Sequence, residues 1–128
     1  MKRSMKCMVA MCVAGAVGTV YAEGQPDTAE TIKARIVGNT VCGVDPAGVA
    51  SCIFYGPDGK ISGKSGTYTA TGAYEVRDDG TVCTKWDNPQ WKSGCAKQYP
   101  NDKGEIQAID DSGKSTFLTQ KIETGNKL

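Results

Sequence analysis

The chain has 128 residues, with 15 Lys and Arg, 14 Asp and Glu, and no histidine. The missing histidine excludes catalysis of the usual Ser-His-Asp or Cys-His type, which needs an imidazole base. The near-neutral charge, without a cluster of Lys and Arg, is not that of a nucleic-acid binder or of a protein that docks on anionic membranes.

The first 22 residues have the pattern of a cleaved signal peptide. Three basic residues lie within the first six positions, an uncharged apolar run follows at residues 8–20, and the Val-Tyr-Ala sequence at 20–22 has the small-x-small form of a cleavage site. Cleavage after Ala22 leaves residues 23–128 as a single domain. This mature chain keeps 12 basic and all 14 acidic residues, a net charge of −2. We therefore expect an exported protein, periplasmic or secreted.

Two alternatives to a cleaved leader have less support. A membrane anchor needs about 20 predominantly apolar residues, and the run at residues 8–20 is shorter. A lipoprotein would use Cys7 or Cys12, but Met11 precedes Cys12 where such a cleavage site has a small residue. We expect no membrane span in the mature form.

Residues 28–38 predict a short amphipathic helix. Ala29, Ile32 and Ile36 recur at the helical spacing of three and four. Either Thr28 or Asp27 can cap the start of this segment, and a glycine stands where the helix stops. We expect the helix to plug or cover one end of a sheet structure.

After the helix, short apolar stretches alternate with turns rich in Gly, Asp and Pro. The Asp-Gly pairs at 58–59 and 79–80 lie between alternating runs, which is a strong hairpin signal. The pattern predicts eight strands, at residues 39–44, 50–55, 60–64, 73–77, 81–86, 95–99, 105–110 and 115–122. Residues 67–71 either continue the third strand or begin the fourth, and the tail at 123–128 is expected to fray.

Consecutive strands joined by tight turns predict an antiparallel meander, and closure into a barrel removes its exposed edges. The predicted fold is therefore all-β: a small antiparallel up-and-down barrel of about eight strands, lipocalin-like or avidin-like, with a short N-terminal helix. A barrel of this size is either filled by its own side chains or holds one small ligand. The sequence leaves both arrangements open.

Four cysteines remain after leader cleavage, an even number that indicates disulfides in an exported chain. Cys42 and Cys52 lie on consecutive predicted strands, and Cys83 and Cys95 stand in the same relation across a longer loop. This placement favours the bonds Cys42–Cys52 and Cys83–Cys95 over the two crossed pairings. A metal site is disfavoured, because the cysteines are widely spaced and no histidine is present.

The remaining reactive side chains have ordinary explanations. The acidic residues concentrate in turns, where Asp is favoured for backbone reasons, and no turn has the ligand pattern of a calcium loop. The adjacent Lys-Ser pairs at 64–65 and 114–115 lie beside turn glycines. We therefore expect no enzyme activity, no catalytic residue, no metal and no cofactor.

The aromatic residues are the best candidates for a binding site. Trp86, Trp91 and Tyr99 can surround a pocket at the barrel mouth, and Tyr55, at the end of the second predicted strand, is a further candidate. The alternative is that the aromatic residues only fill the barrel core. Trp91 stands in a polar loop, so it is either tucked under that loop or presented to a partner.

Several stretches resemble the bacterial exported domain-of-unknown-function family 995. They are GNTVCG after the helix, FYGPDGKISGKSG, and TGAYEVRDDGTVCTKW followed by Cys95. The resemblance covers residues 28–117 and implies a small exported β-barrel without an established activity. It also implies that Cys83 and Cys95 are usual in the family, whereas Cys42 and Cys52 are additions.

These observations together predict an exported, non-catalytic binding protein. The favoured hypothesis is a protein-interaction module, inhibitor-like or immunity-like, because the chain has too few large inward-facing residues both to line a cavity and to form a core. The alternative is a lipocalin-like carrier or sensor of a small apolar ligand. Neither hypothesis involves nucleic acid.

Overall fold

The structure is a computed structural model that describes residues 24–128, so the predicted signal peptide lies outside the described residues. It contains helix α1 (Ala29–Ile36) and eight strands, β1 (Asn39–Val44), β2 (Ala50–Tyr55), β3 (Lys60–Ser65), β4 (Tyr68–Val76), β5 (Val82–Trp86), β6 (Gly94–Pro100), β7 (Ile106–Ile109) and β8 (Ser115–Thr124). Each strand pairs antiparallel with the next, and β8 pairs with β1. The predicted closed up-and-down barrel is confirmed.

Strand β4 joins two segments that the sequence left separate. Residues 67–71 do not continue β3, because β4 runs without a break through Gly72 to Val76. Gly72 permits this continuity, since a side chain there would collide with the backbone carbonyl of Lys85 on β5. The two strands therefore approach closely at the position where a larger residue would separate them.

Helix α1 closes one end of the barrel, as expected. The Thr28 side chain accepts a hydrogen bond from the Thr31 amide and caps the helix start. Ile32 and Ile36 are fully buried and pack into the same apolar cluster as Tyr55 and Ile61 of the barrel. The large apolar side chains therefore gather at the helix end of the interior.

The C-terminal tail is held, so the prediction that it frays is wrong. The Gly125 amide donates to the Gly38 carbonyl at 3.0 Å, which continues the pairing beyond β8. The Thr40 hydroxyl donates to the Gly125 carbonyl at 2.7 Å and accepts from the Lys127 amide at 2.9 Å. Thr40 is fully buried beneath these contacts, so the tail covers a polar side chain of β1.

Both predicted disulfides are present. Cys42 and Cys52 are direct partners across β1 and β2, and Cys83 and Cys95 are direct partners across β5 and β6. Because these strand pairs are four positions apart in the eight-stranded ring, the two disulfides lie on opposite sides of the barrel.

Within residues 24–128, no helix has the length and apolar character to cross a membrane.

Candidate ligand-binding cavity

A cavity of about 780 Å³ extends from the end of the barrel opposite α1 inward as far as Tyr55 and Gln98. Its mouth is formed by the turns that join β1 to β2, β3 to β4, β5 to β6 and β7 to β8. Pockets that hold small molecules have volumes of about 300–1,000 Å³, so one molecule of that size fits. Of the two arrangements that the sequence left open, the structure has the one in which the barrel's own side chains do not fill the interior.

Small residues on the inner face of the wall create this volume. Gly63 lies on β3, Gly94 and Ala96 lie on β6, and Ala108 lies on β7. The last three line the cavity directly. Their inward position follows from the alternation of side chains along each strand.

Trp86 and Trp91 form an aromatic wall over Gly63. Their ring centroids are 4.7 Å apart and the ring planes are tilted by 49°. A Cβ atom at Gly63 would lie 2.5 Å from Cζ3 of Trp91 and 2.8 Å from Cη2 of Trp86. Glycine is therefore required for both indoles to rest on β3.

Trp91 is folded into the mouth and is partly buried. Of the two predicted placements, tucked under its loop or presented to a partner, the structure has the first. The loop that carries it is fixed at both sides. The Trp91 amide donates to the Asn88 carbonyl at 3.0 Å, and the Ser93 hydroxyl accepts from the Trp86 amide at 2.8 Å. The indole is tucked against the barrel rather than presented outward.

Tyr55 lies on the inner wall near the helix end and is only 7% exposed. Its ring meets that of Tyr74 edge to face, with centroids 5.0 Å apart, and Tyr74 is itself anchored by a 2.7 Å bond from its hydroxyl to the Gly56 carbonyl. Burial, and secondarily the neighbouring Tyr74, raises the pKa of Tyr55 to about 12. The Tyr55 hydroxyl therefore stays protonated at physiological pH and can donate a hydrogen bond.

The raised pKa of Tyr55 predicts a loss of stability in alkaline solution. Between pH 10 and pH 12 the unfolded chain releases the Tyr55 proton while the folded protein retains it. The free energy of unfolding should therefore be unaffected by this group below pH 10 and fall by about 3 kcal/mol as the pH rises to 12. Urea unfolding across this range should show a shallower decline for Tyr55→Phe, and equal slopes for both proteins would contradict the prediction.

Gln98 is a cavity residue that the sequence analysis missed. It lies on β6 and its Oε1 accepts a 2.7 Å hydrogen bond from the Arg35 guanidinium. Arg35 also forms an ion pair with Asp27 at 2.8 Å. Because a guanidinium can only donate hydrogen bonds, the amide atom of Gln98 that faces Arg35 must be the oxygen. The NH2 group is then the part of the amide that can donate to a ligand.

Tyr99 does not join the other predicted binding residues. It follows Gln98 on β6 and pairs with Gln107 of β7. Successive side chains of a strand point to opposite faces, so the inward position of Gln98 places Tyr99 on the outer face. Tyr55, Trp86 and Trp91 do share one cavity.

The charged residues of the cavity lie only at its mouth. They are three carboxylates and one ammonium group, namely Asp45, Asp110, Asp111 and Lys92. The Ser112 hydroxyl, then the Lys114 amide, and to a smaller extent the charge of Lys92, lower the pKa of Asp110. The mouth is therefore net negative at neutral pH, and the inner wall is uncharged.

Within residues 24–128, no group of acidic, Cys or His side chains is arranged to hold a metal ion.

Comparison with known proteins does not add to this picture. No protein-family model, curated protein or solved structure matches the chain. Membership of domain-of-unknown-function family 995 stays a prediction. Any functional proposal must therefore rest on the cavity and its side chains.

Proposed function

We propose that the protein is an exported binding protein that holds one small, largely apolar molecule inside its barrel. The observation that carries the proposal is the cavity of about 780 Å³ lined by Tyr55, Trp86 and Trp91. Protein interiors are normally packed with few voids larger than a water molecule. A space of this size, with an aromatic wall and an open mouth, has the character of a ligand site.

Export is part of the same proposal. It is supported by the leader-like pattern of residues 1–22 and by the two disulfides, which are typical of oxidising compartments. The resemblance to family 995 agrees with this location but assigns no ligand.

The protein-interaction hypothesis stays a prediction with less support. A Trp91 presented to a partner would have supported it, whereas this indole packs on Trp86 and Gly63. The apolar side chains that remain exposed near the mouth are Val49 and Tyr68, at 52% and 71%. Val49 precedes β2 and Tyr68 begins β4, and two such separate side chains offer a small area for a stable protein interface.

Titration with the neutral dye Nile red tests the proposal. The chain has two tryptophans, and both line the cavity, so a bound dye should quench most of the intrinsic fluorescence. We expect saturation at one dye per protein with a rise in dye emission. Absence of binding would contradict the proposal.

Variants can show whether the dye enters the barrel. Ala108→Trp places a large side chain on the cavity wall and should weaken dye binding by at least about tenfold, which is about 1.4 kcal/mol. Ala73→Trp is the matched control, because Ala73 is exposed on β4 outside the cavity. Dye binding is read from dye emission in both cases, since each variant adds a tryptophan. Equal affinity of the two variants would place the dye elsewhere.

A further inference from the structure

We propose, on the basis of the proposed function, that the buried end of the ligand carries an uncharged hydrogen-bond acceptor such as a ketone, ester or amide carbonyl. Tyr55 and Gln98 would receive it. These residues enter the inner wall from β2 and β6, which lie opposite each other in the ring. Both offer donors that are left unused within residues 24–128.

The Tyr55 hydroxyl is the first donor. Among residues 24–128, no hydrogen-bond partner is found for it, although the tyrosine is 7% exposed. Its ring is held against Tyr74, so the hydroxyl cannot turn away without breaking an aromatic contact. The hydroxyl is therefore available to donate a hydrogen bond to an acceptor on a ligand in the cavity.

The Gln98 amide is the second donor. Its oxygen is engaged by Arg35 at 2.7 Å, and Arg35 is in turn held by Asp27. The backbone carbonyl of Gln98 also accepts from the Asp27 amide at 2.8 Å, which fixes β6 to the start of the helix. The Gln98 NH2 group has no partner within the described part of the chain, so the orientation of the amide presents a donor and not an acceptor.

Charge argues against an ionic ligand group. A carboxylate would pass three acidic side chains and one lysine at the mouth and would lose its hydration in an uncharged interior. Arg35 does not compensate for this loss, because it lies outside the cavity lining and is paired with Asp27. An ammonium group would find no carboxylate on the inner wall to offset the loss of its hydration. A carbonyl satisfies both donors without carrying charge.

Three naphthalenes of nearly equal shape test this inference. They are 2-acetylnaphthalene, 2-isopropylnaphthalene and 2-naphthoate, each measured by tryptophan quenching and by displacement of Nile red. We expect the ketone to bind about tenfold or more tighter than the hydrocarbon, although the hydrocarbon is more apolar, because only the ketone satisfies the donors. We expect the carboxylate to bind most weakly.

Matched variants connect that preference to the two residues. Tyr55→Phe keeps the ring and removes the hydroxyl, and Gln98→Glu keeps an acceptor for Arg35 and removes the amide donor. Each should reduce the advantage of the ketone over the hydrocarbon. Tyr99→Phe is the control, because it removes a hydroxyl that does not line the cavity, and it should leave the preference unchanged.

The outcomes separate the inference from the function on which it rests. If the hydrocarbon or the carboxylate binds the unaltered protein as tightly as the ketone, the inference is overturned while the binding function stands. An unchanged ketone preference in both Tyr55→Phe and Gln98→Glu also overturns it. If neither Nile red nor any of the three naphthalenes binds, the proposed function itself fails.

Discussion

Loss of both disulfides is expected to unfold the protein or leave it barely stable. The bonds close loops with sequence separations of 10 and 12 residues, and each should contribute about 3 kcal/mol in the chain-entropy description. Together they account for about 6 kcal/mol, which is comparable to the whole stability of many domains. Replacing one pair by serine should lower the urea midpoint by about 1.5 M for a slope near 2 kcal/mol per molar.

The two variants, each with one cysteine pair replaced by serine, serve as controls for each other. Their loops are nearly equal in length, so the chain-entropy description predicts nearly equal losses of stability. Their effects on the cavity should differ, because Cys83–Cys95 closes the loop that carries Trp91 and Cys42–Cys52 does not. We expect weaker Nile red binding only without Cys83–Cys95. Unfolding midpoints that do not move on removal of either bond would contradict the prediction.

The local features of the fold were predictable because they depend on neighbouring residues. The spacing of Ala29, Ile32 and Ile36 gives a helix with one apolar face, and these are the three buried residues of α1. The Asp-Gly turns define hairpins whose strands pair with the next in sequence. Each disulfide then joins directly opposed positions, so the pairing follows from the hairpins.

The sequence was also sufficient to assign the residues of β6 to the inner and outer faces of the barrel. The prediction that Tyr99 surrounds a pocket at the mouth did not use this information. A cross-strand disulfide fixes the phase of both strands, since residues an even number of positions away share its face. Tyr99 is four positions after Cys95 and therefore lies on the disulfide face. Gln98 and Trp86 are three positions after Cys95 and Cys83, and both face inward.

The cavity itself depends on contacts between residues that are distant in sequence. Arg35 and Gln98 are 63 positions apart, and Thr40 and Gly125 are 85 apart. Gly63 supports two indoles from other elements, which no local pattern indicates. The volume of the cavity depends on how the strands close into a ring and on which small residues face inward. Amino-acid composition predicts neither.

Ile32→Ala should strongly destabilise the protein. Ile32 is completely buried between α1 and the barrel cluster, and truncation of a buried isoleucine to alanine costs about 2–5 kcal/mol, depending on how far the site collapses. Lys33→Ala is the matched control, because Lys33 is exposed on the same helix and should change stability by less than about 0.5 kcal/mol. Urea or thermal unfolding distinguishes the two, and equal effects would show that the helix contributes little to closing the barrel.

The Ile32 variant also tests whether the helix positions the inner wall of the cavity. Arg35 reaches Gln98 from α1, and Asp27 at the helix start bonds to both residues. A loosened helix should therefore release the Gln98 amide, so that its oxygen as well as its NH2 group can face the cavity. We expect folded Ile32→Ala to retain Nile red binding, because the loop that carries Trp91 keeps its own hydrogen bonds at the mouth, but to lose part of its preference for the ketone over the hydrocarbon. A preference equal to that of the unaltered protein would mean that Gln98 is oriented by the strand alone.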